Sequence, residues 1–228
     1  MDATQLDPCF LSKKSKKGEL DGMISAIVDD ALRAGAKDFE KKEEDAAQKF
    51  KTVKHKKKLI NFAGMNINND GDALATDCAK HIDKSPLKLS KNATCKDFSG
   101  IRRQLSWATR SSRPGIGCIA AKLAQAREQD LDVDQLKLMK KGIKKFKKNK
   151  NLCLKHQKLD DGSLQLRTRS DASFATNRDE TSQLSRIVAL ADKRDKGCIL
   201  HWSGSKCARV ARSMLGAELR AFCDAMDF

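Results

Sequence analysis

The chain has 228 residues, with 46 lysines and arginines against 30 aspartates and glutamates, so its formal net charge is +16 and its pI is near 9.6. That length suits one or two domains with a sizeable core, and a mean hydropathy of −0.59 with 39% hydrophobic residues leaves no apolar run long enough to cross a bilayer. The charge predicts long-range attraction to polyanions, nucleic acid first; the competing reading is a lysine-rich surface that only keeps the chain hydrated.

In chain order, Met1 to Leu11 holds one short apolar run, Cys9-Phe10-Leu11, and it precedes the basic cluster instead of following it, which is not the layout of a secretory signal. An intracellular protein, cytoplasmic or nuclear, is expected. Ser12 to Gly18 reads as a basic, glycine-ended loop between two strands. Leu20 to Val28 is an apolar-leaning strand running into Asp29-Asp30. Lys37 to Phe50 puts Phe39, Ala46, Ala47 and Phe50 on one helical face, with Glu40, Glu43 and Glu44 set against lysines, so a packing helix is expected there. After the basic run Lys54 to Lys58, a strand is expected over Leu59 to Ile67, with Gly64 marking a close backbone approach and Asn68 to Gly71 a turn. Thr76 to Asp83 reads as helix and Ser85 to Asn92 as loop.

Three helices follow, at Asp97 to Thr109, Ile116 to Gln129 and Val133 to Lys148, the first two separated by Pro114. In the third, Leu136, Met139, Ile143 and Phe146 recur at spacings of three, four and three, the pattern of a buried stripe. Lys137, Lys140, Lys141, Lys144, Lys145, Lys147 and Lys148 occupy the rest of that helix, a concentration of positive charge that a phosphate backbone can track. Aromatic residues make up only 5% of the chain, and Trp107 and Trp202 are expected in the core, so recognition by base stacking is not indicated.

From Ser163 the alternation of Leu164, Leu166 and Thr168 predicts a strand with Asp171 near its end. Gln183 to Asp192 and Cys198 to Ser203 read as a hairpin joined by Lys193 to Gly197, and Glu218 falls on a later helix. The eight cysteines form no C-x-x-C pair and the four histidines are dispersed, so neither a zinc site nor a cysteine–histidine nucleophile is expected.

The ordered series Ser170-Asp171-Ala172-Ser173-Phe174-Ala175, Ser182-Gln183-Leu184, Ile199-Leu200-His201-Trp202-Ser203, Arg209-Val210 and Arg212-Ser213-Met214-Leu215-Gly216-Ala217-Glu218 resembles the ribonuclease H part of copia-type retrotransposon polyproteins. Upstream, Asp7-Pro8-Cys9, Ile27-Val28-Asp29-Asp30, Phe62-Ala63-Gly64 and Arg113-Pro114-Gly115-Ile116 resemble, in order, landmarks of the same polyproteins' reverse transcriptase. The resemblance implies an α+β chain in three parts. These are remnant palm hairpins with the primer grip and the start of the thumb over 1–95, a helical thumb and connection region over 96–158, and an incomplete ribonuclease H-like sheet of three strands and one helix over 159–228. It also implies Asp29 and Asp30 as a polymerase pair, Asp171 and Glu218 as a ribonuclease H pair, and Mg2+ as their ion.

The sequence departs from that family at Ile27, where the family commonly has Tyr, and the chain contains no tyrosine at all. A polymerase needs a further palm aspartate and a nucleotide pocket, expected before residue 7, and ribonuclease H needs a third acid on a later strand. Asp224 and Asp227, six and nine residues beyond Glu218 on the same helix, do not replace it. The expectation is therefore a fragment, inactive alone and holding no metal stably, that binds RNA or DNA without sequence preference and has no membrane partner. The alternatives are a piece of an active polymerase and ribonuclease H completed by the remainder of the polyprotein, and a basic structural protein associated with nucleic acid. Asp171 and Glu218 are expected to approach one another at the sheet edge without forming a working site.

Overall fold

The computed structural model describes residues 2–3, 9–27, 30–48, 56, 58–84, 87, 89, 94–126, 132–177 and 179–227. Among these residues it is a mixed α and β structure with three small antiparallel sheets, and the chain divides into two compact units, residues 1–64 and 65–228. Among the described residues no helix is long and apolar enough to cross a membrane.

The first unit is built on an antiparallel sheet in chain order, β1 (Asp2–Ala3), β2 (Phe10–Lys14), β3 (Leu20–Ile27) and β4 (Asp30–Gly35). The basic loop expected over Ser12 to Gly18 is shorter than that, because Ser12 to Lys14 continue β2; Ser15 Oγ accepts the backbone N–H groups of Lys17 and Glu19, and Gly18 takes the left-handed φ of 84° that the turn needs. Gly22 of β3 lies opposite Gly35 of β4. The ring of Phe39 from α1 (Lys37–Gln48) sits directly on this pair, so close that a Cβ on either glycine would overlap it at 2.4 Å or less. The two missing side chains make the seat that buries Phe39. The strand expected over Leu59 to Ile67 is interrupted: β5 (Leu59–Phe62) stops at Ala63 and Gly64, which have φ of 50° and 80°.

In the second unit β6 (Met65–Asn69), β7 (Ala73–Asp77) and β8 (Leu154–Gln157) pair antiparallel in that order. Thr76 and Asp77 thus belong to a strand, not to the helix expected from Thr76, and α2 (Ala79–Lys84) begins only after it. Asn66 explains the early strand, since its amide donates to Asp77 across the ladder at 2.9 Å. Three longer helices follow: α3 (Cys95–Ser111), α4 (Gly117–Gln125) after a 3-10 turn at Pro114–Ile116, and α5 (Val133–Lys148). The last residues of the helix expected to reach Gln129 lie outside the described residues, as do most of Lys54 to Lys58 and of Ser85 to Asn92. Thr94 starts α3 with a capping box, its hydroxyl accepting the Asp97 N–H while the Asp97 carboxylate accepts the Thr94 N–H at 2.8 Å. Phe98, Leu105, Leu123, Met139 and Phe146 close the core of the three helices, all but sealed from solvent.

The C-terminal strands run β9 (Gln165–Ser173), β10 (Gln183–Ala191) and β11 (Gly197–Lys206), adjacent in that order and antiparallel. Both faces of this sheet are used. On one face, Gly204 of β11 lets the backbone of α4 approach at Gly117, the Trp202 indole N–H donates to the Thr109 carbonyl at 2.8 Å, and the Gln125 amide reaches Gln183. On the other, Ala221 of α6 (Met214–Met226) packs with Ala172, Leu184 and Cys207, and the Arg186 guanidinium donates to the Asp224 carbonyl.

Candidate nucleic-acid interface

A helix that buries one stripe in a core must turn the remainder outward, and α5 does so with lysine. Met139 and Phe146 are buried, Leu136 and Ile143 half-buried, and Gly142 lies against Ile119 and Leu105 where the helix crosses its neighbours. Lys137, Lys140, Lys141, Lys144, Lys145, Lys147 and Lys148 are all exposed. At 100° per residue they span an arc of about 160° on the side away from the core. Lys137 is 3.4 Å from the exposed carboxylate of Asp134, a pair of little energetic weight. Among the described residues no other ion pair is made by these lysines.

Both ends of the helix are fixed. Asp132 caps the N-terminus by accepting the Gln135 N–H at 2.8 Å. Lys145, Lys147 and Lys148 fill the last turn, where the helix dipole favours positive charge. Arg113, buried between α3 and α4, donates through its guanidinium to the carbonyls of Lys150 and Leu152 and so ties down the chain immediately beyond α5. Arg113 is a residue that reasoning from sequence placed only as a landmark before Pro114. Its role is invisible there because the carbonyls it serves lie 37 and 39 residues away.

A second basic surface lines a cleft of about 840 Å³, where Lys155, Lys158, Arg194 and Lys196 stand among Asp72, Asp160 and Asp161. Its mixed sign makes it a poorer track for phosphates than α5. Nearby, the carboxylate of Asp192 is fully buried at the β10–β11 turn. Burial pushes its pKa up, but N–H bonds from Arg194, Lys196 and Asp160 and the charge of Arg194 bring it below the ordinary carboxylate value. Asp192 therefore organises a turn.

The resemblance names two pairs of acids, Asp29 with Asp30 in the first unit and Asp171 with Glu218 in the second. Asp29 lies outside the described residues, and Asp30 opens β4, opposite Ile27 in the β3–β4 ladder. Asp171 lies opposite Ser185, whose hydroxyl donates to the Asp171 carbonyl oxygen at 3.3 Å. Its neighbour Ala172 faces α6, and because successive strand residues point to opposite faces, Asp171 projects from the face that α6 does not cover. Glu218 is on α6, half-buried. The expected approach of these two acids is thus corrected by the register of β9: one residue's shift along the strand separates the face of Ala172 from that of Asp171. Among the described residues no group of three or more His, Cys, Asp or Glu is placed to hold a metal ion. Asp224 and Asp227 are exposed at the far end of α6. Trp202 and Trp107 are engaged internally, the latter 4.2 Å from the His81 ring.

No protein-family model matches the chain, and no curated protein matches it significantly.

Proposed function

We propose that this chain is a non-catalytic nucleic-acid-binding protein, a remnant of a copia-type reverse transcriptase and ribonuclease H, that grips the phosphate backbone of RNA or DNA through α5 without reading bases. The observation that carries the reading is the exposed lysine face of α5, held rigid by the buried stripe behind it and by Arg113. A fixed array of cations on one helix meets the regular spacing of phosphates and releases their counterions on binding. The kinship is supported by the order of elements after residue 164, three antiparallel strands and then a helix, and by the β3–β4 hairpin that ends at Asp30. The placement of Asp171 on the face of β9 that α6 leaves open weighs against the ribonuclease H part of that kinship as well as against its activity, since two-metal hydrolysis needs carboxylates that converge. Mg2+ and the rest of a polyprotein belong to the parent family's activity, and binding through α5 requires neither.

The test is titration of labelled duplex and RNA–DNA hybrid at several salt concentrations. Affinity is expected to be indifferent to sequence and to fall steeply with salt. Replacing Lys140, Lys141, Lys144 and Lys145 by Gln is expected to flatten the log–log slope by about 0.9 for each phosphate of B-DNA that is no longer neutralised. An affinity unchanged between low and physiological salt overturns the reading, and hybrid cleavage that disappears in Asp171→Asn overturns its non-catalytic part.

A further inference from the structure

The helix α6 turns its bulky side chains outward. Leu215, Leu219, Phe222 and Met226 fall on one stripe at spacings of four, three and four, and they are 78%, 60%, 53% and 62% exposed. The face against the sheet carries Ala217, Ala221 and Ala225, none more than 2% exposed. Four large apolar residues in an unbroken row mark a docking surface, and their spacing is the one at which two helices interlock side chains.

The charges of the helix select the occupant. Arg212 stands just before the Ser213 cap, while Asp224 and Asp227 end the helix with no basic residue in its last turn. Carboxylates at a C-terminus work against the helix dipole. A second α6 laid antiparallel along the stripe removes that conflict, because it brings its own positive N-terminus and its Arg212 beside Asp227. Arg212 precedes the helix and Asp227 caps its end, so a two-fold axis that sets one copy's Arg212 beside the other's Asp227 repeats the pairing at the far end.

We propose that this stripe is a homodimer seam, in which α6 helices of two copies of the chain pack antiparallel about a two-fold axis passing between Leu219 and Phe222. Leu219 of one copy lies against Phe222 of the other, and Leu215 against Met226. A helix of 13 residues is about 20 Å long, so the seam is small for a specific interface and the dimer dissociates in the micromolar range.

Sedimentation velocity on the nuclease-treated full chain tests this, with reductant present because Cys223 is an exposed thiol and with about 0.15 M salt to screen the net charge. Over about 1 to 200 µM the chain is expected to pass from monomer to dimer. Leu219→Glu, at an exposed position that leaves the core intact, is expected to keep it monomeric with an unchanged melting temperature. Arg212→Glu and Asp227→Arg are each expected to raise the dimer Kd by about 10-fold, and the two together to restore it. Those two residues sit at opposite ends of one helix and do not pair within a copy, so restoration reports a pairing between copies. A chain that stays monomeric throughout, association that survives Leu219→Glu, charge reversals that fail to rescue one another, or association only with a different protein overturns the proposal.

Discussion

Two helices of the same unit solve the problem of an apolar stripe in opposite ways. α5 buries Met139 and Phe146 and shows lysine, whereas α6 buries Ala217, Ala221 and Ala225 and shows Leu215, Leu219, Phe222 and Met226. The difference lies in what each helix meets. α5 packs against α3 and α4, whose grooves accept long side chains, while α6 lies over β9 and β10, and there the facing residues Ala172, Leu184 and Cys207 leave room only for methyl groups. The larger amphipathic signal of a helix therefore does not say which face is inside.

The comparison is broken most severely by exchanging what each face buries. Phe146→Ala is expected to cost about 3–5 kcal/mol, because it removes a ring from a closed core and leaves a cavity. Phe222→Ala, removing the same ring from α6, is expected to change the stability of the monomer by no more than about 0.5 kcal/mol. Urea unfolding at low protein concentration measures both, and equal losses would mean that the α6 stripe is covered within the chain. Next in size, Ala221→Leu is expected to cost about 1–3 kcal/mol by forcing α6 off the sheet, with near-ultraviolet circular dichroism reporting the displacement of the adjacent packing.

Smaller effects sharpen the comparison at the elements that frame the two helices. Thr94→Ala removes half of the capping box that starts α3, against which α5 packs, and is expected to cost about 1 kcal/mol in thermal unfolding. The smallest effect is electrostatic. The hydrogen bonds from Lys206 and Thr181 hold the Asp179 carboxyl at about 2, below its ordinary value. A carboxylate whose pKa is lowered by folding stabilises the fold above its unfolded value and loses that contribution as pH falls through the folded one. Asp179 thus contributes fully above pH 3.8 and progressively less down to about 2. Lys206→Gln is expected to raise the Asp179 value, read by NMR titration of its carboxyl carbon; an unchanged value would show that Thr181 alone sets it.

Much of the second unit was legible in the residues themselves. The stripe of Leu136, Met139, Ile143 and Phe146 and its lysines predicted α5 with the bounds the structure has, and the alternation from Leu164 predicted β9 and placed Asp171 near its end. Such periodicity is a local property of the chain, because burial on one side of a helix or strand imposes it. β8 escaped notice since Leu154–Gln157 carries a single large apolar residue and becomes a strand only by pairing with β7, about 80 residues earlier. The seat of Phe39 on Gly22 and Gly35 and the reach of Arg113 to Lys150 and Leu152 were equally hidden, since each exists only when distant segments meet.

The candidate sites divide along the same line. By itself the sequence determined that seven lysines would share one exposed helical surface, because the helical period and the apolar stripe leave them no other place. Only the tertiary structure decided the fate of Asp171 and Glu218. Whether two acids some 47 residues apart in sequence converge depends on which face of β9 the helix covers, and that is settled by the fit of Ala221 against Ala172 and Leu184, a packing that no local pattern encodes.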